Sequence, residues 1–233
     1  MNKVIFKTIH GSRSYNLNNE NSDLDIRGVF LPNKEEIIGL KPGKLYLTAA
    51  DFGSDGKDET YWEFRHFIKG CLNANPNMLE VLFTPTEMQL SFREFDKVLK
   101  NREMFLTARC FDSFGGYAKS NLHKVSLSKD DPSFDKKEAK NASHLIRLLY
   151  FLEDIIKGNF STFFKEGDYR LTVLRDIKDG EWHPMDVIEF ANKKFEELSV
   201  LQHKLPPMSE EVFNFWDNFV QETLEDHLKY ETK

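Results

Sequence analysis

A chain of 233 residues, 40% hydrophobic and 30% charged, is long enough for one large domain or two small ones. Its net charge of −6 excludes a broad basic coat for nucleic acid and leaves room only for a local basic groove. No run approaches the roughly 18 apolar residues of a membrane span, and the apolar stretch after Met1 is too short for a signal peptide, so a cytoplasmic protein is expected.

Val4 to Ile9 is rich in β-branched residues and runs into His10-Gly11-Ser12, a strand ending in a tight turn. An Asn-rich loop follows at 16–21, and Leu24 to Phe30 alternates as a second strand that stops at Leu31-Pro32. Lys44 to Thr48 and Asp58 to Trp62 are further strand candidates, with the polar turn Gly53-Ser54-Asp55-Gly56 between them. After Glu63 the period changes. Phe64, Phe67, Ile68, Cys71 and Leu72 fall on one helical face, and many of the 21 phenylalanines recur at helical spacing as core. Asn75-Pro76-Asn77 breaks that helix, and Met78 to Phe83 is a short second one.

From about Ser91 the chain reads as helical, with helices predicted over Phe105 to Lys124, Lys136 to Ile156 and Tyr169 to Lys178. His183-Pro184 opens a fourth, with proline at the first helical position. Pro206-Pro207 separates it from a last helix capped by Ser209, where Glu210 and Glu211 suit the dipole. The last helix presents Val212, Trp216, Phe219, Val220 and Leu224 on one face. Cys71 and Cys110 form no CxxC pair or metal cluster and are expected as buried thiols in a reducing compartment.

The informative stretch is Gly11-Ser12-Arg13-Ser14-Tyr15-Asn16-Leu17, followed by Ser22-Asp23-Leu24-Asp25-Ile26-Arg27-Gly28. Glycine lets backbone approach a ligand, and the Ser12 hydroxyl with nearby N–H groups suits phosphate oxygens. Asp23 and Asp25, two apart on a predicted strand, point to the same side. Two carboxylates on one face are costly without a cation between them, and Mg²⁺ with a nucleoside triphosphate is the usual partner.

Glycine-serine, about ten residues and D-x-D resemble the signature of the DNA polymerase β nucleotidyltransferase superfamily. GSRSYNLNNENSDLDIRGVFLP is similar, more closely, to a bacterial and phage family of nucleotidyltransferases associated with RNA repair. The resemblance continues through Asp58 to Phe67 and Asn75 to Glu80, and returns weakly at Lys140, His144, Arg147 and Leu148. It implies an α+β fold: a small mixed-sheet catalytic domain over 1–104, then an all-helical domain over 105–233. It also implies Mg²⁺, with Mn²⁺ as a substitute, in a two-metal centre on Asp23, Asp25 and a third acid. The third acid is assigned to Asp58. Glu59 points to the opposite face of its strand, Glu63 suits a helix N-terminus, and Glu80 sits on the short helix with a packing or capping role. Gly11, Ser12 and Arg13 then form the nucleotide-binding turn. Two departures stand out. Asn16 replaces the family's usual glycine, and the first strand starts almost at Met1, which leaves one flank of the sheet expected bare.

Lys137, Lys140, His144 and Arg147 follow i, i+3, i+7, i+10 on one helix face. They read either as a solvated basic face or, for Lys140, His144 and Arg147, as a nucleotide-binding clamp on the triphosphate. Tyr117 and Lys119 read either as packing residues or as contacts to base or acceptor.

Rival motifs fail on detail. A calcium loop starting at Asn19 or Asn21 puts Leu24 or Ile26 at the required glycine. Gly39 to Leu45 is one residue short of a P-loop, and no HxxxH supports a zinc protease. The expected activity is transfer of a nucleotidyl group from an NTP to an acceptor hydroxyl on an RNA end, a protein side chain or a small molecule. The alternatives are a catalytically silent nucleotide-binding module, acting as sensor or antitoxin-like partner, and a helical partner protein.

Overall fold

A computed structural model describes residues 2–40, 43–53 and 58–231. Among them five strands form one mixed sheet: β1 Lys3–His10, β2 Asp25–Leu31, β3 Tyr46–Thr48, β4 Asp58–Glu63 and β5 Gln89–Ser91. The order across the sheet is β3-β4-β2-β1-β5. The β2–β4 pair is parallel and the other pairings are antiparallel. The fold class is therefore the expected α+β, a mixed sheet followed by helices.

The period of two assigns the sheet's faces. Val29 and Leu31 join Ile5 and Phe6 in the main core, under the helices. Phe30, Leu47 and Tyr61 close a small cluster on the other face. Glu63 ends β4 and caps α2, Phe64–Leu72, by accepting the His66 N–H at 2.9 Å. Asn75 caps α3, Pro76–Leu82, so this helix begins at the proline that was predicted to precede it.

Some elements were not foreseen. Asn33 and Glu36 form a capping box on the short α1, Lys34–Ile38. β5 pairs with β1 and covers the flank that the early chain start had suggested would be bare. A second short helix, α4, spans Asp96–Lys100. The predicted turn at Gly53-Ser54-Asp55-Gly56 lies, apart from Gly53, outside the described residues.

The long helices are α5 Arg109–Ser126, α6 Lys136–Lys157, α7 Tyr169–Lys178, α8 Pro184–Leu201 and α9 Glu210–Glu231. Residues 102–105 form a separate 3-10 turn, so α5 starts later than predicted. α6 is the central rod, packed against α5, α7 and α8. α9 returns to α2, with Trp216 stacked on Phe105 at 4.3 Å and Phe219 edge-on to Phe64. One continuous core therefore runs from Ile5 on β1 to Phe219 on α9. Each fully buried large apolar side chain in it contributes about 1.5–3 kcal/mol.

Candidate active site

The sheet register assembles the site. His10 ends β1 opposite Asp25, and Asp25 stands opposite Asp58 across the parallel β2–β4 pair. The three residues form a row across three adjacent strands, on the sheet face that the helices cover. Strand partners share a face, so Asp25 and Asp58 project to the same side. Arg27, two residues on from Asp25, lies on that face as well. Its Nη2 is 3.6 Å from Asp25 Oδ1, and its Nη1 donates to the Asp58 carbonyl at 2.8 Å. Arg27 thus supplies positive charge beside the two acids. Sequence reasoning had not singled it out, although D-x-D-x-R at a period of two carried the signal.

Gly11 to Tyr15 form a single 3-10 turn between β1 and the loop to β2. Gly11 has φ +66, and a Cβ there would stand 1.9 Å from Asp25 Oδ2. The glycine is required twice, by its left-handed backbone and by the carboxylate resting against it. Asn16 closes the turn in the left-handed region at φ 62, which its short polar side chain tolerates. Its Nδ2 donates to the Phe164 carbonyl at 3.0 Å. The Ser12 side chain is half-buried, and its hydroxyl has no partner among the described residues. Arg13 donates through Nη2 to the Ser22 carbonyl at 3.0 Å, so it braces the loop that carries Asp23. Asp23 itself is exposed, two residues before β2.

Beneath the turn lies a buried polar network. The Tyr15 hydroxyl donates to Glu80 Oε2 at 2.7 Å and stands 3.5 Å from His10 Nε2. Arg147 pairs with the other Glu80 oxygen, and its guanidinium sits over the Tyr15 ring. Arg147 Nη2 also donates to His144 Nδ1 at 2.7 Å. Arginine has only donors, so that histidine nitrogen accepts and the ring is neutral. Burial, reinforced by the Arg147 charge, holds the pKa of both His10 and His144 down to about 3. In His10, Nδ1 is buried without a partner among the described residues, the state least costly for a neutral ring with its proton on Nε2.

The predicted basic face of α6 is therefore split. Lys137 and Lys140 are exposed, His144 is half-buried, and Arg147 is buried with its charge committed to Glu80. Arg147 does not belong to a solvated face. The rejected candidates for a third acid are also committed elsewhere: Glu63 to the α2 cap and Arg65, Glu80 to Arg147 and Tyr15. Glu59 accepts from the Tyr61 hydroxyl on the opposite sheet face.

Among the described residues no three His, Cys, Asp or Glu side chains converge closely enough to hold a metal ion by themselves. Asp25 and Asp58 are register partners on adjacent strands. That pair suits Mg²⁺, which takes one or two carboxylates and completes its shell with water and phosphate oxygens. No helix among the described residues is long and apolar enough to cross a membrane.

The family described as "RNA repair pathway DNA polymerase beta family" matches residues 1–160. An uncharacterized 38.9 kDa protein of Enterobacteria phage T4, from the nrdC-mobD intergenic region, is 24% identical over 135 residues. That match covers 54% of this chain and 39% of the phage protein. No solved structure matches the chain.

Proposed function

This chain belongs to the RNA repair pathway DNA polymerase β family, and from that premise we propose that it transfers a nucleotidyl group from an NTP to an acceptor hydroxyl, at an RNA end. The observation that carries the reading is the in-register pair Asp25/Asp58 beside a glycine that leaves no room for a side chain. Asp25 and Asp58, with Asp23 joining from the exposed loop, would hold Mg²⁺ (or Mn²⁺), which supplies charge neutralisation for the triphosphate and acidifies the attacking hydroxyl.

The chain's own residues do the rest. Gly11 lets the backbone approach the triphosphate, and the unpartnered Ser12 hydroxyl donates to a phosphate oxygen. Arg13 holds the Asp23 loop near the turn through Ser22 and adds positive charge on the nucleotide side. Lys140 and His144 face the triphosphate from α6, with Lys140 neutralising charge that builds on the leaving group. Arg147 stays with Glu80 and serves nucleotide binding through the position of the turn.

The test is incubation of the protein with each of the four labelled NTPs and Mg²⁺, with total RNA and total protein offered as acceptors. Label should enter RNA with release of pyrophosphate. A protein that binds NTP but releases no pyrophosphate from any of them would be the silent binding module instead.

A further inference from the structure

On the reading that the chain is a nucleotidyltransferase, we propose that the outer surface of α5, α6 and α7 binds single-stranded RNA, with Lys124, Lys136, Lys140 and Lys178 holding its phosphodiester backbone and Tyr117 stacking a base. The three helices are neighbours, with α6 in the middle. Lys136 and Lys140 stand one turn apart on α6, both exposed and without an ion pair among the described residues. Lys124 on α5 is exposed, and among the described residues its Nζ reaches only the Asn121 side-chain oxygen, at 3.4 Å. Lys124 and Lys140 stand near His144, and Lys136 and Lys140 stand near the half-buried Lys178, so Lys140 joins the two groups. The acid that counters Lys178 is Asp179. Asp135 caps α6 and Glu138 stands in its first turn, but Lys124, Lys136 and Lys140 form no ion pair among the described residues, and a polyanion would relieve the repulsion between them. In a chain of net charge −6 this is the local basic groove that composition had left open.

The strip leads to the catalytic turn. Lys178 Nζ donates to the Leu17 carbonyl at 2.5 Å, and the Leu17 N–H donates to the Ser12 carbonyl at 2.8 Å. Two hydrogen bonds thus separate the strip from Ser12. Three helices side by side span on the order of 20 Å at the usual 8–10 Å spacing, room for several phosphates rather than one triphosphate. Lysines are flexible point charges without the fork that reads a base, which suits backbone contact. Tyr117 is 41% exposed and lies two turns before Lys124 on the same side of α5. An exposed ring stacks only on an unstacked base, which favours a single strand over a duplex.

The experiment measures binding of a fluorescein-labelled single-stranded RNA of about 12 nucleotides by anisotropy, with the whole protein in EDTA. Four phosphate contacts predict a log–log salt slope of about −3. Lys124→Glu with Lys136→Glu, two residues outside the nucleotide site, should weaken binding at least about tenfold and flatten the slope by about 1.4. Tyr117→Ala should weaken it about fivefold or more, and Tyr117→Phe should restore it. Asp25→Asn should bind as the wild type does. The proposal is overturned if the charge-reversed variant, with an unchanged thermal transition, binds like wild type. It is also overturned if the wild type does not bind the strand or prefers a duplex of equal length. RNA binding through the strip without pyrophosphate release from any NTP keeps this inference and removes the transfer reading, so the two fail separately.

Discussion

Arg147 holds its guanidinium carbon 3.7 Å from the centre of the Tyr15 ring while pairing with Glu80, so the central helix α6 is locked to the turn that carries Ser12. Both partners of the ion pair are nearly out of contact with solvent, at 7% and 1% side-chain exposure. Removing one partner of such a pair strands the other as an uncompensated charge. Arg147→Met is expected to cost about 3–5 kcal/mol in urea unfolding. Arg147→Lys should recover only part of this, because the ammonium loses the planar stacking and the donor to His144. A stability loss below about 1 kcal/mol in Arg147→Met would show that the network is solvated rather than buried.

Gly11→Ala tests the contact between the turn and Asp25. The new Cβ would meet Asp25 Oδ2 at 1.9 Å, in a backbone conformation that L side chains rarely adopt. Either the turn or the carboxylate must move. Transfer should fall at least about a hundredfold, the scale of losing one transition-state contact, and Gly11→Val should be worse. Ser12→Ala, which leaves the backbone in place, should raise the NTP KM and lower kcat by less. Steady-state kinetics of the three variants would contradict this if Gly11→Ala proved milder than Ser12→Ala.

Asp23→Asn, Asp25→Asn and Asp58→Ala should each lose at least about two orders of magnitude in kcat with the fold intact by circular dichroism. Asp58→Ala should still bind nucleotide. Glu63→Ala should unwind the start of α2, where Glu63 accepts the His66 N–H, and leave transfer largely in place. An active Asp58→Ala beside a folded but inactive Glu63→Ala would assign the third acid wrongly.

His10 and His144 predict an acid-sensitive fold. Both are held neutral, His10 buried and His144 half-buried, with pKa near 3, against 6.5 for the free side chain. Between these values the unfolded chain binds protons that the folded chain refuses, so stability rises with pH. The contribution is fully present above pH 6.5 and is lost progressively as pH falls from 6.5 toward 3. Each histidine adds a slope of about 1.4 kcal/mol per pH unit inside that window. Urea midpoints followed from pH 7 to pH 4 should therefore drop, and His144→Gln, which can still accept from Arg147, should flatten the dependence. Parallel profiles for wild type and variant would mean that the ring is protonated in the fold.

What the sequence determined by itself is local. The strand before Gly11, the helical periods after Glu63 and the left-handed Asn16 follow from chain chemistry within a few residues, whereas Asp23, expected on one strand with Asp25, lies in the loop before it. Interactions of this kind depend on backbone sterics and side-chain spacing, and both are written in order along the chain. The tertiary structure decided what depends on register and burial between distant segments. It put Asp58 opposite Asp25 across a parallel pair, brought β5 onto the free edge of β1 and returned α9 to α2. It also turned Arg147 inward. Helical spacing places Arg147 in line with exposed Lys140, and only the position of Glu80 and Tyr15, 67 and 132 residues earlier, draws its charge into the core. A period can name a face of a helix, but whether that face meets water or a buried carboxylate is settled by what the rest of the chain packs against it.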